Sequence, residues 1–182
     1  MNRAIVVPPV LAVEALAELK DWLAITTTRD DASLTALLRA ALETCEAYTG
    51  VMPLAAGCEE VHLASYEWTR LATAPVTAIT GLEQLATGGT RTALPVDAYM
   101  IDICADGTGR LRLLRHVGET RVAVRFDAGL AQDWTGLPDG LRHGVIRLAA
   151  HNYRERDNGA ARASPPAAVA ALWQPWRRMR LV

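Results

Sequence analysis

The stretch DDASLTALLRAALETCEAYTG, residues 30–50, decides the fold. Leu34, Leu37, Leu38, Ala41, Cys45 and Tyr48 recur at the three- and four-residue steps that place side chains on one face of an α-helix. Asp30 or Asp31 supplies an N-cap, and Gly50 stands where a left-handed residue ends a helix. The opposite face carries Arg39, Glu43, Glu46 and small residues. One apolar stripe of this kind needs a partner elsewhere in the chain.

Toward the N-terminus, Leu11, Ala15, Leu16, Leu19, Trp22 and Leu23 form the apolar face of a first helix, with Glu14, Glu18 and Asp21 outside. The Thr-rich segment Ile25–Arg29 joins it to the Asp30 cap, so the two helices make a hairpin. Pro8 and Pro9 hold residues 1–10 as an extended arm.

Toward the C-terminus the pattern switches to short alternating runs, read as five to seven strands within residues 57–127. Glu60–Leu63 and Thr69–Leu71 flank a turn, and Val76–Leu85 is a longer run. Gly88-Gly89 is a hairpin turn and Asp106-Gly107-Thr108-Gly109 a second turn. Tyr99/Ile101/Ile103, Leu111/Leu113 and Val122/Val124/Phe126 alternate, and the strands close into a small antiparallel sheet or barrel. Pro138 starts a helix reaching about residue 156, with Leu141, Val145, Ile146, Leu148, Ala149, Asn152 and Tyr153 facing the core. Gly140 and Gly144 lie four apart on it, which points to close approach of another backbone. Asn158–Pro166 reads as a linker, Ala167–Trp173 as a short helix, and residues 174–182 as a tail. The fold class is α+β, in one folded domain of 182 residues.

Composition excludes several classes. The net charge of −1 argues against a general nucleic-acid binder, yet residues 1–137 hold 11 basic and 17 acidic side chains and residues 138–182 hold 8 and 3. Such asymmetry suits stacking against a neighbour of opposite sign, another copy included, or simply a solubilising basic tail. All basic residues but Lys20 are Arg, which codon bias explains without a phosphate ligand. Cys45, Cys58 and Cys104 are odd in number and widely spaced, so neither a disulfide framework nor a zinc site is implied and a reducing compartment is expected. No signal-peptide pattern or transmembrane run is present.

The chemistry motifs are missing: no G-x-S-x-G, no phosphate-binding P-loop, no H-E-x-x-H. Asp106–Gly109 is a plain β-turn. Glu59 and Glu60, adjacent in a strand, point to opposite faces and cannot act on one bond, so they read as a solvated edge. His143 and His151 are eight residues apart, too far along a helix to share a metal, and His62 and His116 have no recognisable partner. No catalytic residue, cofactor or metal is assigned.

The tail is the most suggestive local feature. Leu172, Trp173, Trp176, Met179 and Leu181 alternate with Arg177, Arg178 and Arg180. It folds back on its own core, docks into a partner through Trp/Arg hot spots, or touches phosphate or membrane.

The order of these pieces carries a resemblance: a D-D-x-x-L-x-x-L-L-x-A-A helix ending E-x-Y-T-G, a strand-rich insert with V-x-x-Y-x-I-D and G-R-L, then V-R-F-x-A-G, a Pro-started helix ending A-A-H-N-Y-R-E-R, and an R-R-x-R tail. The chain resembles the head-to-tail connector, or adaptor, proteins of long-tailed double-stranded DNA phages, prophages and gene transfer agents, over Leu19–Gly50, Pro95–Leu111, Val124–Gly129, Leu137–Arg156 and Leu172–Arg180. The resemblance implies a small antiparallel helical core, 11–50 and 138–173, with a β-rich insertion at 57–127 between the second and third main helices and a C-terminal arm at 172–182. It implies a non-enzymatic virion structural protein, assembled in the bacterial cytoplasm and placed at the head–tail junction. The partners are the portal protein, tail-side stopper or tail proteins, and other copies in a twelve-fold ring. DNA passes through the channel without specific binding, and no membrane is involved. In relatives the C-terminal arm meets the portal; carried over, that assigns portal binding to Leu172, Trp173, Trp176, Arg177, Arg178 and Arg180. Removing Trp173–Val182 is then expected to leave a folded protein that no longer joins the portal. A stopper or tail-completion protein, or a small enzyme with an unrecognised site, is the alternative.

Overall fold

The computed structural model describes residues 3–116, 118, 120–155 and 164–178. The chain divides into two compact units: residues to Pro9 with Ala55–Gly129, and Val10–Leu54 with residues from Leu130 onward.

The helical unit contains α1 (Val13–Leu23), α2 (Asp31–Thr49), α3 (Asp139–Arg154) and α4 (Ala167–Trp173). Leu34, Leu38, Ala41, Leu42 and Cys45 of α2 meet Leu141, Val145, Leu148 and Ala149 of α3 in one core that also takes in Ala15, Leu19, Trp134, Val169 and Trp173. Burying these apolar groups is the main stabilising term, roughly 25 cal/mol per Å² removed from water. Helix α2 ends at Gly50, whose φ of 71° is the left-handed conformation that glycine adopts without a Cβ penalty. At the other end Asp30 occupies the N-cap position, as expected, and its carbonyl accepts the Leu34 N–H at 2.9 Å, but its side chain makes no capping bond. Asp30 Oδ2 accepts the Tyr153 hydroxyl at 2.8 Å, and Asp31 pairs with Lys20 Nζ at 2.7 Å. These two bonds tie the start of α2 to the end of α3 and the end of α1. Leu37 lies half-buried beside the core, Leu42 is in it, and Thr49 is a buried polar residue. Trp22, read as core, is 46% exposed.

The β unit holds two antiparallel sheets. One has the order β1-β2-β8-β4-β5, formed by Arg3–Val7, Ala56–Leu63, Arg121–Ala128, Val76–Leu85 and Arg91–Ala93. The other has the order β3-β7-β6, formed by Thr69–Arg70, Gly109–Leu113 and Tyr99–Ile103. The N-terminal arm is therefore an edge strand, with Ile5 opposite Cys58 and Arg3 opposite Glu60. The Glu60–Leu63 and Thr69–Leu71 runs belong to different sheets, because β2 pairs with β8 and β3 with β7. Strand β4 carries two register shifts against β8, which put Leu82 opposite Val124 and Glu83 opposite Ala123. One face of the larger sheet buries Cys58, Glu60, Leu82, Val122, Val124 and Phe126.

Glu59 and Glu60 do point to opposite faces, but β2 is interior to the sheet and both are buried, at 8% and 2% exposure. Glu60 Oε1 accepts the Thr73 N–H and hydroxyl at 2.8 and 2.7 Å, and Oε2 accepts the Ala72 N–H at 2.9 Å beside His62 Nε2 at 3.0 Å. Burial raises this carboxyl, yet the His62, Ala72 and Thr73 bonds outweigh it and hold the pKa at about 2. Glu59 accepts a forked pair from Arg91 at 2.6 and 2.9 Å and lies 3.4 Å from Arg125, while both arginines also reach Glu83. The Arg91 hydrogen bond lowers its pKa against the opposing effect of burial. A charge network thus crosses β2, β8, β4 and β5 on the second face. These acids are structural links, not a solvated edge.

Candidate functional site

The C-terminal segment starts from Pro166, whose φ of −53° leads into the Ala-rich helix α4. The close packing at Gly140 and Gly144 explains its path. The Trp173 indole lies directly on Gly144, where any Cβ would collide with Nε1, and a Cβ at Gly140 would stand 3.4 Å from the Leu172 carbonyl. Trp173 Nε1 donates to the Leu141 carbonyl at 3.3 Å, and the side chain is fully buried. Trp173 is therefore a core residue, a correction to its assignment as a portal contact: an indole enclosed on all sides presents no surface to a partner.

Beyond α4, Gln174–Trp176 form a 3-10 turn and Arg177 turns extended. Tyr48, near the end of α2, organises this turn. Its hydroxyl meets Gln174 Oε1 at 3.1 Å, its ring is 6.0 Å from Trp173, and the Arg177 guanidinium lies 5.4 Å over its face. The Arg178 N–H donates to the Thr49 carbonyl at 2.7 Å, satisfying one of the acceptors that a helix end leaves open. The described part of the tail thus folds back on the helical unit. It leaves Leu172 and Trp176 half-buried, Arg177 exposed and Arg178 partly exposed. Arg180 lies outside the described residues, as do Met179, Leu181 and most of the Asn158–Pro166 linker.

A second feature went unrecognised in the sequence. Helices α1 and α3 border an open groove of about 610 Å³ lined by Glu18, Asp21, Trp22, Asp139, Arg142, His143 and Ile146. Trp22 stacks edge-on to His143 at 5.3 Å, and Arg142 bonds Asp139 at 2.9 Å and approaches Glu18 at 3.8 Å. Trp22 also walls a smaller cleft of about 200 Å³ with Arg147, His151, Arg154, Pro166, Ala168 and Val169. The signal was present in the 143/147/151/154 spacing, which puts four basic or imidazole groups on one side of α3.

The buried acids of the β unit are committed to fixed partners, and among the described residues no group of His, Cys, Asp and Glu could hold a metal. No described helix is long and apolar enough to cross a membrane.

No family model matches the chain, and no curated protein does. Solved structures do match: a chain of the neck of an empty gene transfer agent particle, computed with C6 symmetry, superposes with a TM-score of 0.76 at 28% identity, covering 98% of both chains. The chain resembles gene transfer agent neck proteins. Chains from the virion of a native gene transfer agent particle (TM-score 0.74, 28% identity, 100% of this chain and 98% of that one) and from the neck of the native particle computed with C12 symmetry (0.72, 28%, 98% and 98%) match equally fully. The likeness therefore spans helical and β units alike, and the resemblance to the head-to-tail connector family holds over the whole chain.

Proposed function

We propose that the protein is a structural adaptor subunit of a phage or gene-transfer-agent particle, joining the portal to tail-side proteins as a ring of identical copies, twelve in the particle. The observation that carries this is the end-to-end match to particle-neck chains, with almost nothing left over on either side. The neck reconstructions with C6 and C12 symmetry support a ring. Head-to-tail packing of identical subunits needs two different complementary faces, and the acidic balance before residue 138 and basic balance after it offer them.

Leu172, Trp176, Arg177, Arg178 and Arg180 are the portal-facing residues in this reading. Trp173 anchors them: its burial against Gly144 fixes the turn that presents Trp176 and Arg177. No reaction is assigned, and DNA passes the ring without specific binding. Assembly takes place in the bacterial cytoplasm. Mixing the purified chain with the portal of its own particle tests the proposal. A stable complex supports it, whereas binding to tail-side proteins alone would indicate a stopper or tail-completion protein.

A further inference from the structure

The cleft on α3 has an unusual counterpart on α1. Arg147, His151 and Arg154 are spaced by four and then three residues, and so are Glu14, Glu18 and Asp21. At 100° per residue each set falls within about 60° of arc, forming one stripe. The two stripes are of opposite sign and equal length, yet they do not neutralise each other within one copy. Among the described residues Glu14, Asp21, Arg147 and Arg154 have no charged partner, Glu18 only approaches Arg142 at 3.8 Å, and His151 meets Glu155 at 3.3 Å. Apolar surface accompanies both stripes. Trp22, Pro166, Ala168 and Val169 wall the cleft, while Val13, 79% exposed, and the exposed Ala17 flank the acids on α1.

We propose that the α3 cleft receives the acidic ridge of α1 from a second copy of this chain, so that Glu14, Glu18 and Asp21 of one copy face Arg147, His151 and Arg154 of the next. In parallel register the spacings agree residue for residue. Val13 and Ala17 then cover Trp22 and Ala168, giving an apolar centre with a charged rim. An isolated phosphate would engage the arginines but leave the apolar walls and the acidic ridge unused. A protein helix uses all three.

This inference rests on the ring reading, and charge reversal separates the two. Self-association of the full chain is measured, alone and on the portal, for wild type, for Arg147→Glu with Arg154→Glu, for Glu14→Arg with Asp21→Arg, and for all four together. Each pair is expected to weaken association at least tenfold, and the fourfold variant to recover to within about threefold of wild type. Melting temperatures verify folding, with Arg147→Gln and Arg154→Gln replacing any variant that melts early. If wild type never associates, the ring reading fails and this inference with it. If wild type associates and the reversed pairs associate equally well, or the fourfold variant does not recover, only the inference is overturned. Loss of duplex-DNA binding in Arg147→Glu with Arg154→Glu, with association unchanged, would likewise overturn it and assign the stripe to phosphate.

Discussion

Trp173 sits where the Cβ of Gly144 would be. Ring and glycine fix the position of α4 on α3, and with it the direction in which the tail leaves the helical unit. Gly144→Ala should therefore destabilise the protein by about 1–3 kcal/mol through overpacking, although Ala is favoured over Gly in a helix by about 1 kcal/mol. Trp173→Ala should cost about 3–5 kcal/mol. Thermal or urea unfolding measures both, and a stabilising Gly144→Ala would contradict the packing.

The same relationship revises the truncation. Removing Trp173–Val182 takes away a fully buried indole and is now expected to lower the melting temperature. Removing Arg177–Val182 spares that core; it should leave a folded protein that has lost most of its affinity for the portal. Trp176→Ala with Arg177→Ala should act in the same direction without changing chain length. Pull-down on immobilised portal, beside a melting curve, reads both effects.

Leu37 and Leu38, equivalent in the helical pattern, separate in the structure. Leu38 is fully buried and Leu37 only half so. Leu38→Ala should cost about 2–5 kcal/mol and Leu37→Ala distinctly less. Equal losses in denaturant unfolding would place the α2 stripe wrongly.

Glu60 links stability to acid. Its folded pKa of about 2 lies below the ordinary 4.5, so the charged form is favoured by folding. That stabilisation, on the order of 3 kcal/mol at 1.36 kcal/mol per pH unit, is complete above about pH 4.5 and is lost as pH falls toward 2. Glu60→Gln should remove much of it and flatten the stability curve across this window. An unchanged slope between pH 4.5 and 2 would show that the carboxylate is not held by Ala72, Thr73 and His62.

Cys45 is pushed up to about 12 by burial, the Thr49 hydrogen bond opposing only in part. With Cys58 also buried and Cys104 partly exposed, only Cys104 should react with a thiol reagent at pH 8 before unfolding. Peptide mapping of the labelled protein checks the order.

Helical periodicity made α2, α3 and α4 legible, because each buries one stripe and Gly or Pro marks its ends. The strands were legible from alternation, but their partners were not. Nothing local in Glu60–Leu63 says that it pairs with a strand sixty residues away, or that Arg3–Val7 joins the same sheet. Burial of Glu59 and Glu60 was hidden for a related reason: their compensation comes from Arg91, Arg125 and Thr73, all distant in sequence. At the tail, composition displayed the Trp and Arg residues but could not separate Trp173, which a glycine admits to the core, from Trp176, which stays half-buried at its edge. The α1–α3 groove was missed because Trp22 fits an apolar helix face as well as an exposed one.

The central claim is a ring of identical subunits seated on a portal. Native mass measurement of the complex formed when the purified chain is mixed with its particle's portal tests it most directly. Twelve copies added per portal are expected. A mass showing no added copies, or one or two bound without ring closure, would contradict it.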